Sequence, residues 1–296
     1  MAVMRSVLYV PGNSDKMIGK SSGLGADIVT LDLEDSVPPA EKANARMISA
    51  AALEEVASGG SEVYVRLNNW ETLMTDDDLE AVVQKGLHGV TLAKCGHPDD
   101  VKRLDWKLDE LERRRGLARG SVKISILLET AKGAINAYPS LTASPRMVSA
   151  IFGAVDFTKD MRVKLTSEGV EQKYARRHIA VAARAAGVVA IDAPFVAYQD
   201  MEAFEANVRD GRQMGYEGRM IIHPSQVEVC NRLYAPDPED VVWAKGVVKA
   251  FEEEAIAKGS AAISYNGKMV DTPVYLSAKD ILASHGEIEA KNATRK

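Results

Sequence analysis

Short apolar runs and longer amphipathic ones alternate along this chain. SVLYV at 6–10, DIVTLDL at 27–33, EVYVRL at 62–67 and GVTLAK at 89–94 make up the first four runs. VKISILLE at 122–129, MVSAIFGAVD at 147–156, VVAIDAP at 188–194 and RMIIHP at 219–224 make up the next four. They are rich in β-branched residues and bounded by glycine, proline or polar positions, which predicts strands. Most are apolar on both faces, as parallel strands covered by helices must be. Between them, apolar positions three and four apart predict helices over 40–57, 75–84, 99–115, 167–187, 200–215 and 225–234. Thr75 and the aspartates behind it make an acidic first turn, and Gly187 and Gly215 stand where helices stop.

Eight strands, each followed by a helix or a helix-sized connection, predict an α/β fold, a (β/α)8 TIM barrel over residues 1–235. A doubly wound sheet is the rival. Its GxGxxG fingerprint does not follow the first strand, where the chain reads PGNSDKM, and no P-loop occurs. Pro236 and Pro238 open a further segment, 236–296, expected to supply a C-terminal helix over 238–259 and a lid-like extension. Within it, Asn266-Gly267 between two β-like runs predicts a hairpin.

Composition narrows the function classes. The formal net charge of −5 argues against a dedicated nucleic-acid binder, which needs a basic face. Two cysteines, Cys95 and Cys230, are too few for a disulfide framework or a thiolate-rich metal site. No run of 18 apolar residues suggests a membrane span, and the opening MAVMRSVLYVPGN lacks a secretory pattern, so a cytoplasmic enzyme is the expectation.

Barrel enzymes carry their chemistry at the C-terminal ends of the strands. Those ends present Asn13, Asp32 with Glu34 and Asp35, Arg66 with Asn68, Lys94, Glu129, Asp156, Asp192 and His223, expected to converge on one mouth. Glu129 and Asp156 end neighbouring strands. Two such carboxylates in a partly dry cleft must share a proton, face a cation or hold a metal. Hard oxygen donors without imidazole or thiolate favour Mg2+, and a salt bridge to a neighbouring base is the alternative. Arg66 suits either a pairing with Asp32 or Glu34 or a clamp on a substrate carboxylate or enolate. The acids at 32, 34 and 35 are expected to support the metal site and orient Arg66. Nearby acids would keep Lys94 protonated, which favours an electrostatic or structural role over Schiff-base chemistry. The PGNSDKM loop, with Asn13 and Lys16, could hold a phosphate or an extended acyl carrier. His223 could contact a cofactor or serve in capping and packing. Asp271, flanked by apolar residues, could exchange a proton if the tail folds over a mouth, its own or a neighbour's.

RSVLYVPGNSDKM, LDLEDSVPPAEKANAR, VRLNN, ILLETAKG, IFGAVDFTKDM, RMIIHPSQV and GKMVDTPV together resemble the signatures of the citrate lyase beta subunit family. That family belongs to the aldolase superfamily that includes malyl-CoA and citramalyl-CoA lyases, and the resemblance runs from about residue 5 to 283. It implies Mg2+ on Glu129 and Asp156, with Arg66 against the substrate and its developing enolate and Asp32 and Glu34 in support. It implies that Asp271 reaches the site from a neighbouring subunit of a homotrimer, or of a hexamer, and handles the proton at the acetyl carbon. The loop from Asn13 to Lys16 and the segment around Ile222 and His223 would lie beside the thioester carrier, usually coenzyme A, with Lys94 also near it. One departure is visible: where such chains commonly have Pro-Lys, this one has Ala93-Lys94. The activity implied is cleavage of citramalyl-CoA or malyl-CoA. A carrier-protein thioester as substrate, or thioester hydrolysis, are the alternatives.

Overall fold

The computed structural model describes residues 3–166, 168–256 and 260–294. One compact unit extends to Arg232 and a second begins at Leu233. In the first, eight parallel strands close on themselves in sequence order, forming a TIM barrel. They are β1 (Ser6–Pro11), β2 (Ile28–Asp32), β3 (Glu62–Leu67), β4 (Gly89–Leu92), β5 (Lys123–Leu128), β6 (Met147–Phe152), β7 (Val189–Asp192) and β8 (Gly218–Ile221). The barrel closes where β8 pairs back onto β1. Parallel neighbours need a crossover, and the helices between strands provide it.

Strand alternation decides what faces the barrel interior. Val7, Ile28, Tyr64, Leu127, Ile151, Val189, Ile191 and Met220, from seven of the strands, pack into one buried cluster. Gly89, the register partner of Tyr64, leaves room for that ring, since a Cβ at 89 would sit 2.3 Å from it. Two residues beyond Tyr64 and Leu127, and four beyond Ile28, Arg66, Glu129 and Asp32 share the inward side with them. The interior is thus apolar below and ionic at the C-terminal rim. The outer helices are anchored conventionally. Pro98–Arg114 begins in a capping box of His97 and Asp100 and buries Val101, Leu104, Leu108 and Leu111 against the barrel.

Several strands end before their apolar runs do. β4 stops at Leu92, because Lys94 adopts a left-handed conformation with φ 50°. β8 ends at Ile221. β6 ends at Phe152 rather than 156: Gly153 turns the chain, and Ala154–Asp160 is a helix. Asp156 therefore stands in a helical first turn, where a negative charge suits the dipole, and is not the last residue of a buried strand. The helix expected from 167 begins at Lys173, after a short 3-10 turn, and Ser167 lies outside the described residues. Two short helices after β5, Ala131–Ile135 and Ala137–Leu141, carry too little periodicity to be read from sequence.

The second unit has its own core. Helices Pro238–Ala250 and Thr272–Ala293 pack with a hairpin of Ala262–Tyr265 and Lys268–Asp271 around Ala244, Val247, Phe251, Val270, Tyr275 and Ala278. Asn266 and Gly267 have φ of 47° and 74°, the two positive values that a tight type I′ turn requires. The first helix continues as a π turn through residue 256, and the remainder of the expected 238–259 helix lies outside the described residues. Among the described residues, no helix is long and apolar enough to cross a membrane.

Candidate active site

A cavity of about 320 Å³ opens at the C-terminal rim of the barrel. Asp32, Arg66, Glu129, Asp156 and Ile222 all line it, together with Tyr9 and the apolar walls Leu127, Pro194 and Met220. Arg66 is its electrostatic centre. Asp32 and Arg66 are register partners on β2 and β3, and they form a bidentate pair with Nε to Oδ1 and Nη2 to Oδ2 both at 2.6 Å. Glu34 Oε2 lies 3.0 Å from Nη1. Asp32 thereby engages two of the five guanidinium donors and Glu34 is ion-paired with Nη1, which leaves donors for a ligand. Burial works against the charge on Arg66, but the charge and bonds of Asp32, followed by Glu34, outweigh it and keep the guanidinium ionised. Burial likewise pushes Asp32 upward. The Arg66 charge and the hydrogen bonds from Arg66, Ser36 and the Glu34 N–H overcome that and hold its carboxyl below the ordinary range.

Glu129 follows β5 and is 1% exposed. Its Oε1 accepts the backbone N–H of Lys94 at 2.9 Å. Burial pushes its carboxyl up to about 8; Arg66 pulls it down, while the charges of Asp156 and Glu34 push it further up. Gly153 makes room for this carboxylate, since a Cβ there would lie 2.5 Å from Glu129 Cβ and 2.7 Å from Oε2. Among the described residues, no cationic side chain forms a salt bridge with Glu129 or Asp156. The salt-bridge alternative for these two acids is thus not what the structure contains. Nor do the described residues include a group of three or more His, Cys, Asp and Glu able to hold a metal. Two hard carboxylates facing one cavity, without imidazole or thiolate, fit Mg2+, which takes one or two protein carboxylates and fills its other positions with water or substrate oxygens.

Lys94 joins the two halves of the rim. Its ammonium is hydrogen-bonded to Glu34 Oε1 and lies 3.4 Å from both Asp35 oxygens, while its backbone holds Glu129. Burial opposes its charge, but the bond and charge of Glu34 raise its pKa above the usual lysine value. The amine is protonated and is no nucleophile.

The remaining expected site residues are placed as follows. Asn13 is half-buried in the loop after β1, and Lys16 is exposed on the short helix Asp15–Ser21. Ile222 and His223 follow β8, where their backbone N–H groups donate to Gln226 Oε1. The His223 ring stacks on Tyr198 at 4.7 Å, and its Nδ1 lies 2.7 Å from Ser225 Oγ. Asp271 belongs to the second unit, where it caps Thr272–Ala293 by accepting the Val274 N–H. Asp192 was expected at the mouth, and the structure corrects this. Its neighbour Ile191 points inward, so Asp192 faces the opposite way, toward Arg176 (2.8 Å from Nε) and Arg219 (3.3 Å). It is structural.

The sequence reading passed over Tyr9, Ser36, Lys42 and Gly153. Tyr9 lies under Arg66, with the guanidinium 5.3 Å from its ring centroid. Only Gly153 had an available signal, a glycine interrupting an otherwise strand-like run.

Residues 5–224 match the family described as HpcH/HpaI aldolase/citrate lyase. The chain is 37% identical to the citrate lyase subunit beta of Leuconostoc mesenteroides subsp. cremoris, over 94% of this chain and 92% of that protein. It is 30% identical to the mitochondrial citramalyl-CoA lyase of Homo sapiens, over 97% of this chain and 87% of that one. Its structure resembles that of CitE from Mycobacterium tuberculosis in complex with magnesium, acetoacetate and coenzyme A. The TM-score is 0.74 and the identity 30%, covering 95% of this chain and 97% of that one.

Proposed function

The chain belongs to the HpcH/HpaI aldolase/citrate lyase family, and from that premise we propose that it is a magnesium-dependent carbon–carbon lyase. Its substrate is a 3-hydroxy-3-carboxyacyl-CoA thioester, malyl-CoA or citramalyl-CoA, cleaved to acetyl-CoA and glyoxylate or pyruvate. One observation carries the reading: the carboxylates of Glu129 and Asp156 share a single cavity with the doubly anchored Arg66.

Glu129 and Asp156 would hold the Mg2+, which as a Lewis acid supplies acidification of the substrate hydroxyl and charge neutralisation at its carboxylate. Transfer of the hydroxyl proton to a solvent water leaves an electron pair that forms the oxoacid carbonyl. The carbon–carbon bond breaks, and its electrons move into the thioester as an enolate. Arg66 directs its remaining donors at that enolate oxygen, where charge grows during cleavage and stabilisation lowers the barrier. Because Asp32 and Glu34 fix the guanidinium beforehand, little reorganisation is required of it. Asp271, contributed by a neighbouring copy of the chain, then protonates the enolate carbon. The reverse, Claisen-type direction runs through the same groups.

A coupled assay of the purified chain with Mg2+ against malyl-CoA and citramalyl-CoA, with both products identified by mass, tests this. Acetyl-CoA with an oxoacid is the expected outcome. Free CoA with an intact hydroxy acid would replace lysis by hydrolysis. The 37% identical citrate lyase beta subunit favours a second reading, action on a carrier-protein thioester in the company of other subunits. Turnover of a CoA ester by the isolated chain counts against it.

A further inference from the structure

Lys42 occupies a position that helix physics disfavours. It is the first residue of Lys42–Ser58, where the positive end of the dipole repels a cation; the N-cap residue is Glu41, which makes no side-chain cap, and no acid follows in the first turn. Its ammonium instead reaches back to the barrel rim. Nζ donates to Leu33 O at 2.6 Å, Glu34 O at 2.7 Å and Asn68 Oδ1 at 2.8 Å, which engages all three of its hydrogens. Leu33 and Glu34 lie just past the end of β2, where the ladder no longer supplies donors for their carbonyls and the Glu34 carbonyl accepts only a turn bond from the Val37 N–H at 3.0 Å besides Lys42. Lys42 replaces the missing strand.

The partner at Asn68 is itself fixed. Asn68 donates through both N and Nδ2 to Asp78 Oδ2, each at 2.8 Å, so its Oδ1 is left to face Lys42. Asp78 is fully buried, and its other oxygen accepts from Arg46 Nε at 2.7 Å. Arg46 sits four residues after Lys42 on the same helix, so one helical face holds the ends of both β2 and β3. These are the ends that carry Glu34 and Arg66. With its carbonyl held by Lys42, Glu34 turns its carboxylate to the other side, bridging Arg66 Nη1 and the Lys94 ammonium.

We propose that Lys42 is a positioning residue for catalysis: by fixing the 33–34 carbonyls it aims the Glu34 carboxylate and, through it, the Arg66 guanidinium. This deepens the lyase reading and rests on it for its kinetic part. A residue acting through geometry in this way is expected to change kcat far more than KM, because misplacement of a clamp by an ångström is worth on the order of 100-fold in rate.

The test is Lys42→Met, which keeps the length of the stem and removes the donors. The expected result is a kcat lower by about 10–100-fold, with KM and the Mg2+ Kd within about threefold of the unaltered enzyme. Solvent exchange of the Arg66 Nε–H, followed by side-chain nitrogen NMR and assigned by its loss in Arg66→Lys, should quicken about tenfold or more. Lys42→Arg serves as the second variant if Lys42→Met does not fold. It keeps the charge but cannot aim three hydrogens from one nitrogen at three oxygens, and the same split is expected. A kcat within about twofold of the unaltered enzyme, or a fall in kcat with unchanged Arg66 exchange, overturns the proposal. If the unaltered chain cleaves no acyl thioester, the lyase reading fails by itself, and the exchange comparison still decides whether Lys42 orders Arg66.

Discussion

The backbone N–H of Lys94 lies 2.9 Å from Glu129 Oε1, while the side chain of the same lysine is hydrogen-bonded to Glu34. One residue therefore touches the proposed metal ligand through its main chain and the arginine clamp through its ammonium. Its left-handed φ of 50° makes both contacts possible from one position, and such a conformation costs a non-glycine residue about 1–3 kcal/mol.

Lys94→Gly should separate the two contacts. Glycine keeps the N–H donor to Glu129 and relieves the left-handed backbone, but it deletes the ammonium that steadies Glu34. Mg2+ affinity by titration calorimetry should stay within about threefold, while kcat falls on the order of tenfold or more. A large loss of Mg2+ affinity would show that the ammonium, and not the backbone, governs the metal end of the cavity.

Glu129→Gln should abolish Mg2+-dependent cleavage without destabilising the metal-free protein. The amide preserves shape and removes a carboxyl whose ionisation burial penalises. Thermal unfolding in a chelator should give a midpoint equal to or above that of the parent. Mg2+ should raise the midpoint of the parent only. Retained activity in this variant would end the metal assignment.

The elevated pKa of Glu129 gives a signed pH dependence. In the unfolded chain this carboxyl titrates near 4.5, and in the folded metal-free chain near 8. Between these values the folded state keeps a proton that the unfolded state has released. Its contribution is thus fully present below about 4.5 and is lost as pH rises through about 8. Metal-free parent protein should lose more stability than Glu129→Gln between mildly acidic and mildly alkaline buffer, and Mg2+ should stabilise the parent most at the alkaline end. Parallel pH profiles for the two proteins would contradict this.

How much was legible in the sequence follows from these residues. Period-two alternation carries Ile28 to Asp32, Tyr64 to Arg66 and Leu127 to Glu129, so the inward acids and the arginine could be read directly. The same rule, applied to Ile191, would have sent Asp192 outward to Arg176 and Arg219. Asp156 was misplaced because an apolar run masked the turn at Gly153. Lys42 was not legible as a rim residue, since its three acceptors, two of them main-chain carbonyls, come together only when the helix packs beside β2 and β3.

Gly153→Ala tests how tightly the cavity is built. With φ −110° and ψ 93°, alanine meets no backbone strain, so any effect arises from the added methyl against Glu129. Overpacking of this kind costs about 1–3 kcal/mol and should leave the protein folded. The displaced carboxylate should weaken Mg2+ binding by about tenfold or more and reduce kcat at least as much. Wild-type Mg2+ affinity in this variant would mean that the Glu129 side chain can shift without consequence, and so does not hold the ion.

Asp271→Asn addresses the proton at the acetyl carbon. Asparagine caps a helix as well as aspartate does, so the Val274 N–H keeps its acceptor and Thr272–Ala293 should remain intact by circular dichroism. What is lost is the acid. Exchange of acetyl-CoA methyl protons with solvent should fall on the order of 100-fold or more, within the range of general acid–base contributions. The proposed delivery of Asp271 from a neighbouring copy has a separate consequence. Arg66→Lys and Asp271→Asn would each be nearly inactive alone, yet co-refolded or co-expressed mixtures would contain cavities that pair an intact Arg66 with an intact Asp271 from another chain. Such mixtures should recover activity well above either parent variant, in proportion to the statistical fraction of intact pairings. If Asp271 served the cavity of its own chain, every cavity in the mixture would carry one defect and no activity would return. Unchanged methyl exchange in Asp271→Asn itself would move the proton step to another group.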